Sequence, residues 1–163
     1  SDATILARIH SQCITGESFF SMRCDCRFQL SESMKQIADN KSGVIFYLQQ
    51  EGRGIGLSNK IRAYKLQDEG LDTVDANLQQ GLPVDSREYG VGAESRAELG
   101  VTEVRLMRNT PVKYGGREGY GLNIVGRVSL EVDPNEENIR YLATKRERLG
   151  HHLSEDSQET EPA

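Results

Sequence analysis

The three cysteines of this 163-residue sequence all fall within one short stretch, CITGESFFSMRCDC, as Cys13, Cys24 and Cys26. Thiols two residues apart point the same way from an extended segment, and the turn-forming residues TGES after Cys13 allow that thiol to fold back toward the other two. Three facing thiols are a ligand set that suits zinc. The spacing therefore predicts a zinc site.

The kind of site stays open on spacing alone. A structural zinc ion has four protein ligands, whereas a catalytic one keeps a position for water and lowers the pKa of that water to about 7. The stretch supplies three ligands, His10 is the nearest histidine, and His151 and His152 are distant in the sequence. The alternatives are a catalytic zinc, a structural zinc, and buried thiols or a redox pair without metal.

Composition indicates one soluble domain. The sequence has 36% hydrophobic residues, 28% charged residues and a formal net charge of −5, which suits a folded protein with a single core. It has no apolar run long enough to cross a bilayer and no signal-peptide pattern, so we expect a cytoplasmic protein that binds no membrane and keeps its thiols reduced. The negative charge argues against nucleic-acid binding and requires a local basic site for any phosphate.

Apolar periodicity predicts alternating strands and helices. We expect strands at residues 4–10, 43–49, 102–107 and within 122–132, and helices at about 28–40, 57–69, 90–99 and 136–149. This alternation predicts an α/β fold in which a mixed β-sheet is layered with helices. We expect residues 1–152 to form a single domain and residues 153–163 to be an acidic, disordered tail.

Three further stretches carry residues that suit chemistry. QQEGRGIG follows a predicted buried strand, where α/β proteins bind ligands. Its Glu51 could accept from the N–H donors of a purine edge, and its Arg53 could hold a phosphate or the base. Asp85 and Arg87 stand in DSR, and RNTPVK carries two cations out of a strand. Taken singly, each stretch also fits a plain turn, a solvated charge pair or a basic surface loop.

Taken together and in order, the motifs resemble those of GTP cyclohydrolase II, a family of riboflavin biosynthesis. The resemblance covers residues 4–152 and rests most on the cysteine spacing and on EGRGIGLSNKIRAYKLQDEGLDTVDAN. It implies a GTP cyclohydrolase II-like α/β fold, a homodimer, one catalytic zinc per chain, and Mg²⁺ with the nucleotide. The implied activity opens the imidazole ring of GTP at C8 and releases formate and pyrophosphate.

The resemblance also assigns roles to single residues. It makes Cys13, Cys24 and Cys26 the zinc ligands, Tyr64 a tyrosine near the zinc, Asp85 a general base and Arg87 a proposed nucleophile. Because a guanidinium must lose a proton before it can attack, electrostatic assistance by Arg87 is the alternative. The implied nucleotide-binding positions are Arg8, Ile9, His10, Ser11, Gln12, Gln29, Glu51, Gly52, Arg53, Thr73, Arg108 and Lys113.

Two of these positions depart from the family pattern. Gln12 stands where the family usually has glutamate, and Arg108 stands where it has a threonine that contacts the nucleotide. The departures fall on substrate recognition and leave the implied catalytic set intact. They raise two alternatives to the family reaction: a paralogue that acts on another purine nucleotide or stops at a formamidopyrimidine product, and a non-catalytic nucleotide-binding homologue whose zinc is structural.

Overall fold

The structure is a computed structural model that describes residues 4–87, 103–109 and 123–149. The strands are β1 (Ile5–Ser11), β2 (Gly43–Leu48), β3 (Glu103–Met107) and β4 (Asn123–Val128), and the helices are α1 (Ile14–Glu17), α2 (Cys26–Asn40), α3 (Leu57–Asp68), α4 (Thr73–Gln79) and α5 (Ile139–Leu149). A short 3-10 helix spans Glu51–Gly54. The predicted helix at 90–99, the predicted tail at 153–163, Lys113, His151 and His152 lie outside the described residues.

The strands form one sheet in the order β2-β1-β3-β4, and the α/β fold class is confirmed. All three described pairings are parallel, where the sequence analysis expected a mixed sheet. Parallel strands need crossover connections, and α1 and α2 supply the first of these, between β1 and β2. Apolar periodicity identifies a strand but does not give the direction of its neighbours, so the orientation could not be predicted.

Apolar side chains cover both faces of this sheet, as a parallel sheet requires. On one face Ala7 packs with Phe46, Val104, Leu106 and Ile124. On the other, the neighbouring Leu6 packs with Met107 and Leu130, and Ile37 of α2 lies against them. The two faces fix the register of β1, because a shift of one residue would exchange them.

Helix boundaries differ from the prediction for identifiable reasons. The last helix begins at Ile139 rather than near residue 136, because the side chains of Asn135 and Asn138 accept hydrogen bonds from backbone N–H groups and hold a turn there. The unpredicted α4 begins after Asp72, whose carboxylate accepts from the N–H groups of Val74 and Asp75. That N-cap was visible in the sequence. No described helix is long and apolar enough to span a bilayer.

The predicted site residues follow the carboxyl ends of three strands of the sheet. Because β1, β2 and β3 are parallel, the segments after Ser11, Leu48 and Met107 leave the same edge of the sheet. These segments carry Gln12 and Cys13, the EGRG turn, and Arg108. This edge is where open α/β sheets bind ligands.

Candidate active site

One cavity of about 340 Å³ lies at the carboxyl edge of the sheet. Every predicted site residue that the structure describes lines it, and only Lys113 falls outside the described residues. The lining residues from the predicted set are Arg8, Ile9, His10, Ser11, Gln12, Cys13, Cys24, Cys26, Gln29, Glu51, Gly52, Arg53, Tyr64, Thr73, Asp85, Arg87 and Arg108.

The three thiols converge at this cavity. Their sulfur atoms all lie within 4.8 Å of one another, and Cys13 Sγ is 3.6 Å from Cys24 Sγ. The predicted extended segment is absent: Cys13 is the N-cap of α1, and Cys26 is the first residue of α2. The thiols therefore meet because two helices begin there.

The donor set fits zinc, which three converging sulfurs bind well. Gly16 of α1 supports this fit, since a Cβ at that position would lie 2.9 Å from Cys24 Sγ and 3.3 Å from Cys13 Sγ. Among the described residues, no histidine or carboxylate joins the three thiols as a candidate ligand.

His10, the histidine nearest in sequence, has another partner. Its Nε2 lies 2.7 Å from Glu17 Oε1, and the same carboxylate accepts from Tyr47 Oη and from the N–H of Cys13. Burial lowers the pKa of His10 despite the Glu17 contact, so the ring is neutral near pH 7. Nδ1 of His10 is buried without a hydrogen-bond partner among the described residues, which leaves it available to a ligand.

Lys60 of α3 brings a positive charge to the thiols, and the sequence analysis did not identify it. Its Nζ lies 3.0 Å from Cys13 Sγ and 2.7 Å from Glu51 Oε1. Hydrogen bonds from Cys24 and Cys26, with the charge of Lys60, hold the pKa of Cys13 far below its usual range. Their hydrogen bonds with Cys13 raise the pKa of Cys24 and of Cys26, so one thiolate is favoured before a metal binds.

Glu51 has less freedom to read a base than the sequence analysis expected. Oε1 accepts from Lys60 and from the N–H of Gly52 at 2.9 Å, and Oε2 accepts from the N–H of Ile14 at 2.6 Å. A carboxylate has about four acceptor sites, so these contacts leave about one for a ligand. To accept both the N1–H and an amino N–H of guanine, Glu51 would have to break one of its three hydrogen bonds to the protein.

Tyr64 reaches the thiols through one intervening side chain. Its Oη is 3.3 Å from Thr15 Oγ1, which is 3.6 Å from Cys13 Sγ. Burial raises the pKa of Tyr64, so the phenol keeps its proton and can donate it in a hydrogen bond. Arg23, which the sequence analysis also missed, lies over the ring at 5.1 Å from its centroid.

Asp85 and Arg87 form an ion pair on the cavity wall. Arg87 Nε donates to Asp85 Oδ1 at 2.9 Å, and its NH2 group donates to Oδ2. Burial alone would raise the pKa of the Asp85 carboxyl, but the hydrogen bonds and charge of Arg87 hold that pKa below its usual range.

The loop that carries this pair docks on the EGRG turn. The N–H of Ser86 donates to Arg53 O at 2.9 Å, and a Cβ on Gly54 would lie 2.8 Å from Ser86 O. Gly54 has φ +90°, so both its conformation and this close approach require glycine. The two motifs that the sequence separates by about thirty residues therefore form one wall.

The cavity wall is basic although the chain as a whole is acidic. Among the described residues, two carboxylates, Glu51 and Asp85, line the cavity together with seven cationic side chains: Arg8, Arg23, Arg53, Lys60, Arg87, Arg108 and Lys145. The formal net charge of the whole chain is −5. The predicted local basic site is thus present, and a polyphosphate is the kind of ligand that it suits.

Comparison with known proteins gives a consistent result. The model of the GTP cyclohydrolase II family matches residues 1–129. The chain is 53% identical over 154 residues to "Riboflavin biosynthesis protein RibBA" of Chlorobium phaeovibrioides, which covers 94% of this chain and 38% of that protein. It is 57% identical over 152 residues to the RibBA protein of Parabacteroides distasonis, covering 93% of this chain and 38% of that protein.

A plant protein shows similar identity. The "Probable bifunctional riboflavin biosynthesis protein RIBA 2, chloroplastic" of Oryza sativa subsp. japonica is 57% identical over 148 residues, which are 90% of this chain and 27% of that protein. The chain thus spans well under half the length of these relatives. The family match and these identities show that the chain belongs to the GTP cyclohydrolase II family.

Proposed function

We propose that the chain catalyses the GTP cyclohydrolase II reaction in riboflavin biosynthesis. Water attacks C8 of GTP, the imidazole ring opens, and a second water releases formate; a third cleaves the α–β phosphoanhydride and releases pyrophosphate. The product is a 2,5-diamino-6-ribosylamino-pyrimidinone 5′-phosphate. The observation that carries the proposal is one cavity lined by a thiol trio, a phosphate-compatible basic wall, and a tyrosine hydroxyl near the thiols.

In this proposal Cys13, Cys24 and Cys26 hold one catalytic zinc ion. When bound there, zinc supplies Lewis-acid activation of water for the hydrolysis of the imidazole ring. Tyr64 keeps its proton and donates a hydrogen bond to the oxygen that gains negative charge at C8. Lys60 stabilises the thiolate of Cys13 and holds Glu51 in place.

For the release of pyrophosphate, we propose that Arg87 acts as a cation rather than as a nucleophile. A guanidinium attacks only after it loses a proton, and in proteins it stays protonated. Asp85 is a poor base for that proton, because its pKa lies below the usual range of an aspartate and its oxygens already accept from Arg87. A charged Arg87 instead stabilises the negative charge that develops as pyrophosphate leaves. Mg²⁺ enters with the triphosphate, as is usual for such substrates.

Guanine is the proposed base. The acceptor site left on Glu51 can take the N1–H of guanine, and it offers nothing to N1 of adenine, which is itself an acceptor. His10 Nδ1, a buried acceptor when Nε2–H donates to Glu17, is available on the same wall. A site that pairs with a substrate N–H group rejects an analogue without it by a factor of order 10⁴.

The test is to incubate the zinc-loaded chain and Mg²⁺ with GTP, and separately with ATP, and to follow ultraviolet absorbance, formate and pyrophosphate. GTP should give both products in equal amounts, and ATP neither. Efficient turnover of ATP would contradict the guanine assignment. Ring opening without formate would indicate a paralogue that stops at a formamidopyrimidine, and binding without either product would indicate a nucleotide-binding homologue.

The proposed assembly and location have their own tests. The homodimer implied by the resemblance predicts twice the chain mass in light scattering, and the monomer mass would contradict it. The proposed catalytic zinc predicts about one zinc ion per chain by metal analysis. The cytoplasmic location stays a prediction, to be checked by fractionating cells that express the protein.

A further inference from the structure

Helix α5, the last helix among the described residues, contributes two side chains to the cavity wall. It spans Ile139–Leu149 and so lies beyond the residues that the family model matches, 1–129. Tyr141 and Lys145 both line the cavity. They stand four residues apart and therefore share one face of the helix. Lys145 Nζ also lies 4.6 Å from the centroid of the Tyr141 ring.

Lys145 is the counterion of Asp25, which stands between Cys24 and Cys26 in the sequence. Its Nζ lies 2.7 Å from Oδ1 of Asp25, and the two side chains are only 9% and 2% exposed. Asp25 is the N-cap of α2, a position where aspartate normally accepts from the first backbone N–H groups, but its side chain makes no capping hydrogen bond. The carboxylate is turned instead toward Lys145 and Gln29.

From Asp25 a chain of hydrogen bonds runs into the predicted nucleotide site. Gln29 donates its amide N–H to Asp25 Oδ2, which directs the amide oxygen Oε1 to Arg8 NH2, 2.7 Å away. Arg8 NH1 in turn donates to the carbonyl of Met107 at the end of β3, at 3.0 Å. Because an amide has one donating and one accepting end, the orientation of Asp25 decides which end faces Arg8.

We propose that Lys145 is a positioning residue of the site. By pairing with Asp25 it orients the Cys24–Cys26 segment for metal binding, and through Gln29 it orients Arg8 for the nucleotide. Helix α5 is therefore a functional part of the site. The nucleotide half of this inference rests on the proposed function; the metal half does not.

The experiment compares Lys145→Met, Asp25→Asn and the double variant with the parent chain. Circular dichroism and thermal melting establish that each variant is folded. Three readouts follow: zinc affinity by competition with a chromophoric chelator, the absorption spectrum of the Co²⁺-substituted protein, and the KM and kcat for GTP. The Co²⁺ spectrum reports the geometry of the thiolate ligands, which a loss of stability alone would leave unchanged.

The matched control is Arg148→Met on the same helix. Arg148 pairs with Asp72 and Asp75 of the α4 segment at the protein surface, so its loss removes a cation of the same helix without touching the Asp25 chain. We expect this variant to keep zinc affinity and KM within about twofold of the parent. Lys145→Met should lose about tenfold or more in zinc affinity, as for other groups that orient metal ligands, with an altered Co²⁺ spectrum and a raised KM.

The double variant separates a positioning role from a direct one. If Lys145 acts through Asp25, Asp25→Asn should reproduce the losses of Lys145→Met, and the double variant should be no worse than either single one. Losses that multiply in the double variant would overturn the proposal. Parent-like zinc affinity, Co²⁺ spectrum and KM in Asp25→Asn would also overturn it. Should Lys145→Met fail to fold, the double variant decides, because it removes both buried charges; parent-like zinc affinity, spectrum and KM in it would overturn the proposal.

Failure of the proposed function would look different. If the parent chain binds zinc but does not turn over GTP, the zinc affinity and the Co²⁺ spectrum still test the metal half. If the parent turns over GTP and Lys145→Met is unaltered in all three readouts, the proposed function stands and the positioning role of Lys145 is wrong.

Discussion

Replacing Gly16 with alanine tests whether the thiol trio is packed to hold a single ion. A Cβ at this buried position would lie 2.9 Å from Cys24 Sγ, and ordinary contacts begin at 3.4 Å, so the sulfur must move by roughly 0.5 Å. Bond lengths in a working metal site hold to within about 0.2 Å. The displaced sulfur therefore leaves the distance that zinc requires, unless the start of α1 moves with it.

The magnitude follows from the cost of overpacking. An added methyl group in a closed interior costs about 1–3 kcal/mol, which corresponds to about 5- to 150-fold in an equilibrium constant. In the metal-free chain no metal bond holds Cys24 Sγ in place, so most of this cost should fall on the metal-bound state. We expect zinc affinity to drop by about tenfold or more, with a smaller change in the free energy of unfolding of the metal-free chain.

The assay is competition for zinc against a chelator, paired with urea denaturation of the metal-free chain. Gly126→Ala is the control, because a Cβ there would meet its nearest neighbour, Arg105 Cγ, at an ordinary 3.5 Å. Parent-like zinc affinity in Gly16→Ala would refute the inference that the sulfurs converge on one ion. If that parent-like affinity came with a destabilised metal-free chain, Gly16 would serve helix packing alone.

Four further substitutions test the proposed chemistry. Cys24→Ser should abolish zinc binding and ring opening yet leave the circular dichroism spectrum close to that of the parent; retained zinc would contradict the ligand assignment. Tyr64→Phe should slow formate release, whereas Arg87→Ala should slow pyrophosphate release, and equal losses of both products in both variants would contradict this division. Arg108→Thr should change the relative KM values of GTP, GDP and GMP by about tenfold, the worth of one charge-assisted phosphate contact; unchanged ratios would exclude a phosphate role for Arg108.

The placement of Arg108 on the cavity wall argues against the alternative that RNTPVK is only a basic surface loop. An arginine that pointed away from the ligand would leave substrate choice to the other residues, but Arg108 follows β3, is half-buried and lines the cavity. Its N–H is held by the carbonyl of Val128 at 3.0 Å. A charge at this position adds to the basic wall, so its effect should fall on the phosphates rather than on the base.

The sequence by itself determined the local features of this protein. The apolar runs at Ile5–Ser11 and Gly43–Leu48 are strands because short β-rich segments bounded by polar residues have few other ways to bury their side chains. The cysteine spacing indicated a thiol cluster, and the structure brings Cys13, Cys24 and Cys26 together, although the helix starts at which they meet were not expected.

Tertiary structure alone decided which distant groups share the site. Nothing near Asp25 in the sequence shows that Lys145, 120 residues away, neutralises it, or that Lys60 binds both Cys13 and Glu51. The occupied oxygens of Glu51 and the close approach of Gly16 to two sulfurs are equally invisible in the linear pattern. Local patterns report which face of an element is apolar, whereas pairing of buried charges depends on where the parallel sheet and its crossovers place the elements.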